Sequence, residues 1–272
     1  MKRPLNVSFA TPRTPRVFGR VDDVTLERKR RDARCGIVSA LCLCAAMSAL
    51  AGPPYVTDDP EPTEYGHYEI YAFADGSTGR AGSDGAGGID FNYGGAPDLQ
   101  LTAVVPLAWN APDAGNTQTD LGNIELAAKY RFVHQDDVGV DVAFFPRVFL
   151  PAGSSAVGSR HTSVLLPIWL GRSGDAWSTF GGGGCVVDRG GRDFCEWGWA
   201  ATWQARPNLQ IGAELYHQGA DERGGRASTN VGFGATYDLD EHLHLMASVG
   251  PTIENSASTN DGNWYVALLF TM

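Results

Sequence analysis

From His67 to the C-terminus the chain divides into roughly twelve segments of eight to thirteen residues in which apolar positions alternate with polar or small ones. The clearest are Leu99–Leu107, Ile124–Phe132, Leu209–Leu215 and Val231–Tyr237. A period of two sends successive side chains to opposite faces of a strand. In Ile124–Phe132 one face takes Ile124, Leu126, Ala128, Tyr130 and Phe132, and the other takes Glu125, Lys129 and Arg131. The next segment sets Val138, Val140, Val142 and Phe144 against Asp141 and Arg147. Residues 196–206 set Trp197, Trp199 and Trp203 against Glu196, Thr202, Gln204 and Arg206. One row is greasy throughout and the other is polar and charged.

A water-soluble sandwich also alternates, so strand number, connections and an export signal decide the solvent. Shorter connections centre on residues 95–97, 135–136, 172–174, 206–208 and 239–241. Longer ones, rich in Gly, Ser, Asn and Asp, cover about 75–87, 109–120, 151–161, 187–195, 217–228 and 253–262. Alternating tight turns and long loops are the pattern of outer-membrane barrels. The expected fold is therefore all-β: a transmembrane antiparallel up-and-down β-barrel of about 12 strands, with both ends on the periplasmic side. Such a barrel is too wide for side chains to fill and narrower than a sixteen-stranded porin. A charge on the lipid face near the midplane costs ~2–4 kcal/mol for Lys or Arg, so the charged rows should face the lumen. The lumen-lining candidates are Glu69, Asp90, Glu125, Asp141, Glu196 and Glu214, with Lys129, Arg131, Arg147 and Arg206. Trp109, Trp169, Trp177, Trp197 and Trp264, near strand ends, suit interfacial girdles.

The N-terminus supplies the destination. Residues 28–51 read as a signal peptide: Arg28–Arg31 and Arg34 are basic, Cys35–Leu50 carries no charge, and Ala49–Ala51 meets the small-residue rule for cleavage between Ala51 and Gly52. The apolar run falls short of the ~20 residues a spanning helix needs. Residues 1–27, with scattered Arg, Pro and Asp, read as a disordered or mis-assigned extension. Residues 52–66 read as a periplasmic lead-in, and 67–272 as the barrel. The expected location is the outer membrane of a Gram-negative bacterium.

Cleavage changes the charge. Residues 1–51 hold ten of the 21 Lys and Arg but four of the 31 Asp and Glu, leaving 11 basic against 27 acidic residues, a net charge of −16. That excludes nucleic acid, whose binding needs a basic footprint. Cys185 and Cys195 remain after cleavage, and two thiols in an oxidising compartment read as a disulfide. Other motifs weigh less. Gly181–Gly184 lacks the following helix of a phosphate cradle and reads as a glycine-rich strand. His242 and His244 have no third ligand fixed by spacing, so no metal and no cofactor are expected. Asp58–Pro62 reads as an acidic, Pro-stiffened lead-in rather than a calcium stretch. His161–Ser163 keeps a membrane-embedded hydrolase as an alternative, and a non-transporting structural or adhesive barrel is a third reading.

Gly122–Phe132, after an apolar strand ending in Val105-Pro106-Leu107, resembles a block of the MetA-pathway of phenol degradation family of outer-membrane barrel proteins. Val56–Pro60 and Gly212–His217 are also similar to its members. The likeness runs from about Val56 to the C-terminus. Asn123 stands where the family often has Asp, and the chain ends Phe270-Thr-Met272 where many barrels finish on an aromatic residue. The resemblance implies an outer-membrane channel or transporter, not an enzyme, for small solutes, aromatic and hydrophobic ones among them. The implied partners are outer-membrane lipid, such a solute and the barrel-assembly machinery.

Overall fold

A computed structural model describes residues 54–272; the expected extension, the signal peptide and the cleavage point at Ala51–Gly52 lie outside the described residues. The strands are β1 (Tyr68–Gly79), β2 (Gly82–Ala96), β3 (Leu99–Pro112) and β4, in two pieces, Gln118–Leu121 and Ile124–Val133. β5 comes in two pieces, Asp141–Phe144 and Arg147–Leu150. β6 (Ser163–Ser173), β7 (Trp177–Asp188), β8 (Phe194–Arg206) and β9 (Leu209–Gln218) follow. The last are β10 (Ser228–Asp238), β11 (Leu243–Glu254) and β12 (Gly262–Thr271). Each pairs antiparallel with its sequence neighbours, and β1 also pairs with β12 from Glu69↔Thr271 to Thr78↔Gly262. The ladder therefore closes on itself, and among the described residues only the short piece Gln118–Leu121 has a single neighbour. This is the twelve-stranded barrel that the alternation predicts.

The apolar rows lie on the outer wall, where Leu101, Val105, Leu126, Tyr130, Phe132, Ile168, Phe233 and Val249 are exposed. A surface so apolar belongs against lipid rather than water. Trp197 and Trp199 lie over Gly183 and Gly181 on the same wall, so the four-glycine run is strand backbone roofed by indoles.

Three local expectations are corrected. Residues 75–87 are not a long loop: β1 and β2 stay paired to Gly79↔Gly82, joined by Arg80 and Ala81 alone. Gly82, at φ 131°, takes the backbone conformation that closes so tight a turn. Gly and Ser composition looks like loop, yet the ladder needs only backbone groups. The connection at 135–136 is a helical turn that runs to Val138, which the alternation puts on the next strand; that strand begins at Asp141. Trp169 is 1% exposed and points inward, not to the interface. Its row, with Leu165, Pro167 and Gly171, is apolar because another part of the chain packs on it. Between the two halves of β5, Phe145 turns inward beside Pro146, which has no N–H to give the ladder.

Candidate functional site

The interior is occupied by the chain's own lead-in. Tyr68 at the head of β1 exchanges backbone hydrogen bonds with Met272 at the rim that carries both strand ends. From that rim residues 66 back to 54 run into and across the lumen. Thr63 donates its backbone N–H to Gln100 Oε1 (2.8 Å) on β3. Asp58 accepts from Lys129 Nζ (2.9 Å) on β4. The N–H groups of Val56 and Thr57 donate to the two oxygens of Glu214 on β9 (3.2 and 3.0 Å), and Pro54 C=O accepts from Ser248 on β11. The segment thus touches opposite walls.

Local sequence makes room for this crossing. Pro54, Pro60 and Pro62 favour extended backbone with few N–H groups to satisfy. The wall presents glycine where the segment comes closest: a Cβ on Gly198 would collide with Thr57 Oγ1, and one on Gly234 would lie 2.8 Å from Pro54. Tyr55, Phe180 and Ala200 form a buried apolar cluster between segment and wall. Thr57 and Asp59 are among the most buried residues of the protein.

Electrostatics tie the segment down. Lys129 is 3% exposed, held by Asp58, by the Glu61 carbonyl (3.3 Å) and, at 3.9 Å, by Asp59, with its ammonium 4.9 Å from the Phe145 ring centroid. A buried ammonium needs such partners, since each ion loses several kcal/mol of hydration. Other candidates pair wall to wall. Arg147 donates to both oxygens of Glu125 (2.7 and 2.8 Å). Arg131 joins Asp98 (2.9 Å) in the β2–β3 turn and lies 3.6 Å from Asp141. Glu196 accepts from Tyr216 (2.9 Å), Glu69 from Tyr71 (3.1 Å) and Asp90 from Asn92 (2.9 Å). Arg206 joins none of these: it is exposed at the β8–β9 turn, where the register shifts. At the rim, burial pushes the Asp98 carboxyl up, but hydrogen bonds from His134 and Arg131 outweigh it and hold the group below the usual Asp range.

Above the segment lies a cavity of about 970 Å³. Pro54, Tyr55, Val56, Asp58 and Glu61 bound it below, and Asp221, Glu222, Arg226 and Asn260 stand at its outer rim. Gln100, Asn92 and Thr102 form a hydrogen-bonded row in its wall, the same row that binds Thr63.

The other candidate chemistry stays apart. Ser163 is buried at the start of β6 while His161 is exposed on the preceding loop, and among the described residues no serine hydroxyl bonds an imidazole ring. Among the described residues no three His, Cys, Asp or Glu side chains are placed to hold a metal ion. Cys185 and Cys195 are register partners on β7 and β8 and form a disulfide.

No curated protein matches the chain at the sequence level. Solved structures match its fold. The COG4313 outer membrane channel from Pseudomonas putida F1 superposes with a TM-score of 0.66 at 12% identity, over 79% of this chain and 98% of that one. The KdgM porin gives 0.55 at 12% identity over 74% and 98%, and the NanC porin 0.53 at 10% over 75% and 99%. The barrel thus shares its fold with these outer-membrane channel and porin structures. The family model described as "Putative MetA-pathway of phenol degradation" matches residues 67–268, nearly the whole barrel, and the chain belongs to that family.

Proposed function

We propose that this protein is an outer-membrane channel for small solutes, including ring-bearing and hydrophobic ones, whose bore is set by its own N-terminal segment. The observation that carries the reading is the 970 Å³ cavity inside a closed barrel, reachable from the outer rim and floored by residues 54–61. A barrel serving only as a surface has no need of an open interior. A solute of one or two rings fits that volume, since ligand sites of ~300–1,000 Å³ enclose drug-sized molecules. Tyr71, Phe73 and Tyr265 in the wall supply apolar faces for such a ring. The family's description points toward aromatic solutes as well.

The segment makes the bore narrow and gives it two states, docked and released. Planar-bilayer recording of the refolded mature protein tests the reading, compared with a form lacking residues 54–66. Discrete steps are expected from the parent, with larger steps from the shortened form. A correctly folded barrel that stays silent in both forms overturns it.

A further inference from the structure

The cavity wall is one-sided in charge. Among the described residues, ten carboxylates line it against three basic side chains, Lys129, Arg147 and Arg226. Two of those three are spent internally, Lys129 on Asp58 and Arg147 on Glu125. On β1 and β2, by contrast, Asp75, Asp84 and Asp90 have no Lys or Arg nitrogen within 4 Å among the described residues, and their polar contacts are with neutral groups. Asp221 and Glu222 continue the same sign up to the rim.

Aromatic rings interleave with these acids. Asp75 is the register partner of Tyr265, and Asp90 that of Tyr71. Phe73 lies between them and stacks on Tyr265 at 6.5 Å between centroids. A carboxylate beside a ring face is a pairing that suits an organic cation, whose charge meets the acid while its body meets the ring. An inorganic cation has no apolar body to lay against the rings and stays strongly hydrated, and an anion is repelled by both the acids and the faces of the rings.

We infer that the outer cavity selects small organic cations, an ammonium or guanidinium group on an apolar body, and takes them up along the Asp75–Asp84–Asp90 wall. This rests on the channel reading above and narrows its solute class. A polyanion such as the oligogalacturonate named with the KdgM porin would meet the wrong sign here. Clefts lined by one sign of charge concentrate counter-ions ~10-fold or more, and the effect weakens with salt.

Two measurements with benzyltrimethylammonium and benzenesulfonate, of similar size and opposite charge, separate this inference from the one beneath it. Calorimetric titration into the refolded protein in non-ionic detergent reads binding without any pore. The cation is expected to bind at least ~10-fold more tightly than the anion, and Asp75→Asn with Asp90→Asn should remove most of that difference. Reversal potentials across a salt gradient read passage, and should show cation over anion preference that the same double variant reduces. Should that variant fail to fold, Asp84→Asn at the exposed end of β2 is expected to lower both readouts in part. Equal binding of the two probes, or tighter binding of the anion, overturns the inference even if the channel conducts. Selective cation binding in a barrel that never conducts upholds the inference and sinks the channel reading.

Discussion

Lys129→Met removes the cation that holds the N-terminal segment while keeping most of the side-chain volume. Asp58 and Asp59 would then lie inside the barrel with no Lys or Arg nitrogen within 4 Å among the described residues. Asp59 is 1% exposed and the Asp58 side chain 17%. Breaking a buried pair from one side costs about 3–5 kcal/mol, because the remaining charge has neither water nor partner. Asp58 keeps some contact with water, so the lower end applies: about 3 kcal/mol, or roughly a hundredfold in the ratio of docked to released segment. The remaining anchors, Glu214 and Gln100, sit at either side of the lost one and do not compensate its charge.

A thiol at Thr57 reports docking, because that residue is fully buried and the two native cysteines of the barrel are joined to each other. Maleimide labelling of the folded Thr57→Cys protein should be slow, and Lys129→Met should speed it about a hundredfold if labelling follows release. Adding Asp58→Asn should recover part of the protection by removing one unmatched charge. Conductance should rise in step with labelling. If Lys129→Met labels and conducts like its parent, the segment is held by shape and not by charge, and the reasoning fails.

Further outcomes follow from the same geometry. Gly198→Val places a side chain where Thr57 sits, and should enlarge conductance without unfolding the barrel; thermal unfolding and bilayer recording check the two halves of that statement. Reduction of Cys185–Cys195, a closure of sequence separation 10, should cost roughly 2–3 kcal/mol by the chain-entropy model, so heat modifiability on a gel should show the barrel intact while proteolysis at residues 189–193 accelerates. The Asp98 carboxyl titrates below its unfolded value; its contribution is therefore complete at neutral pH and is lost as pH falls through its folded-state pKa, below the usual Asp range. Amide exchange in the Pro97–Asp98 turn should rise in acid, and Asp98→Asn should abolish that pH dependence.

Strand alternation carries the wall because it is a local signal: parity alone sets Glu125 and Arg147 on inward rows of adjacent strands, and they meet at 2.7 Å. Lys129 shows the limit of that signal. Its partner Asp58 lies 71 residues away in a segment with no periodicity, and nothing local distinguishes a Pro-stiffened tether from a chain that enters a lumen. A clue was present in the parity itself, since no acid on β3 or β5 is register partner to Lys129: Gln100 stands opposite it. Trp169 failed for the same reason. An inward row that is apolar looks ambiguous until something apolar, here the Pro60 side of the segment next to Gly171, is known to lie against it.

The distribution of satisfied and unsatisfied polar groups then divides the interior by purpose. Where the wall packs on residues 54–66, Lys129 is matched to Asp58, Glu214 to two backbone N–H groups and Gln100 to Thr63, while Thr57 Oγ1 and Asp59 Oδ2 are buried there without a hydrogen-bond partner. Each match offsets part of the cost of drying the contact, since an unpaired buried polar group costs about 1–3 kcal/mol or more. Higher up, Asp75 and Asp84 carry no basic partner, and evolution of a merely structural interior would have had every reason to pair or remove them. Carboxylates persist unpaired at low cost only where water or a solute reaches them. On the proposed reading, the change from acids held by Lys129, Arg147 or backbone N–H groups to Asp75 and Asp84, which have no basic partner among the described residues, follows the passage from packed floor to open cavity.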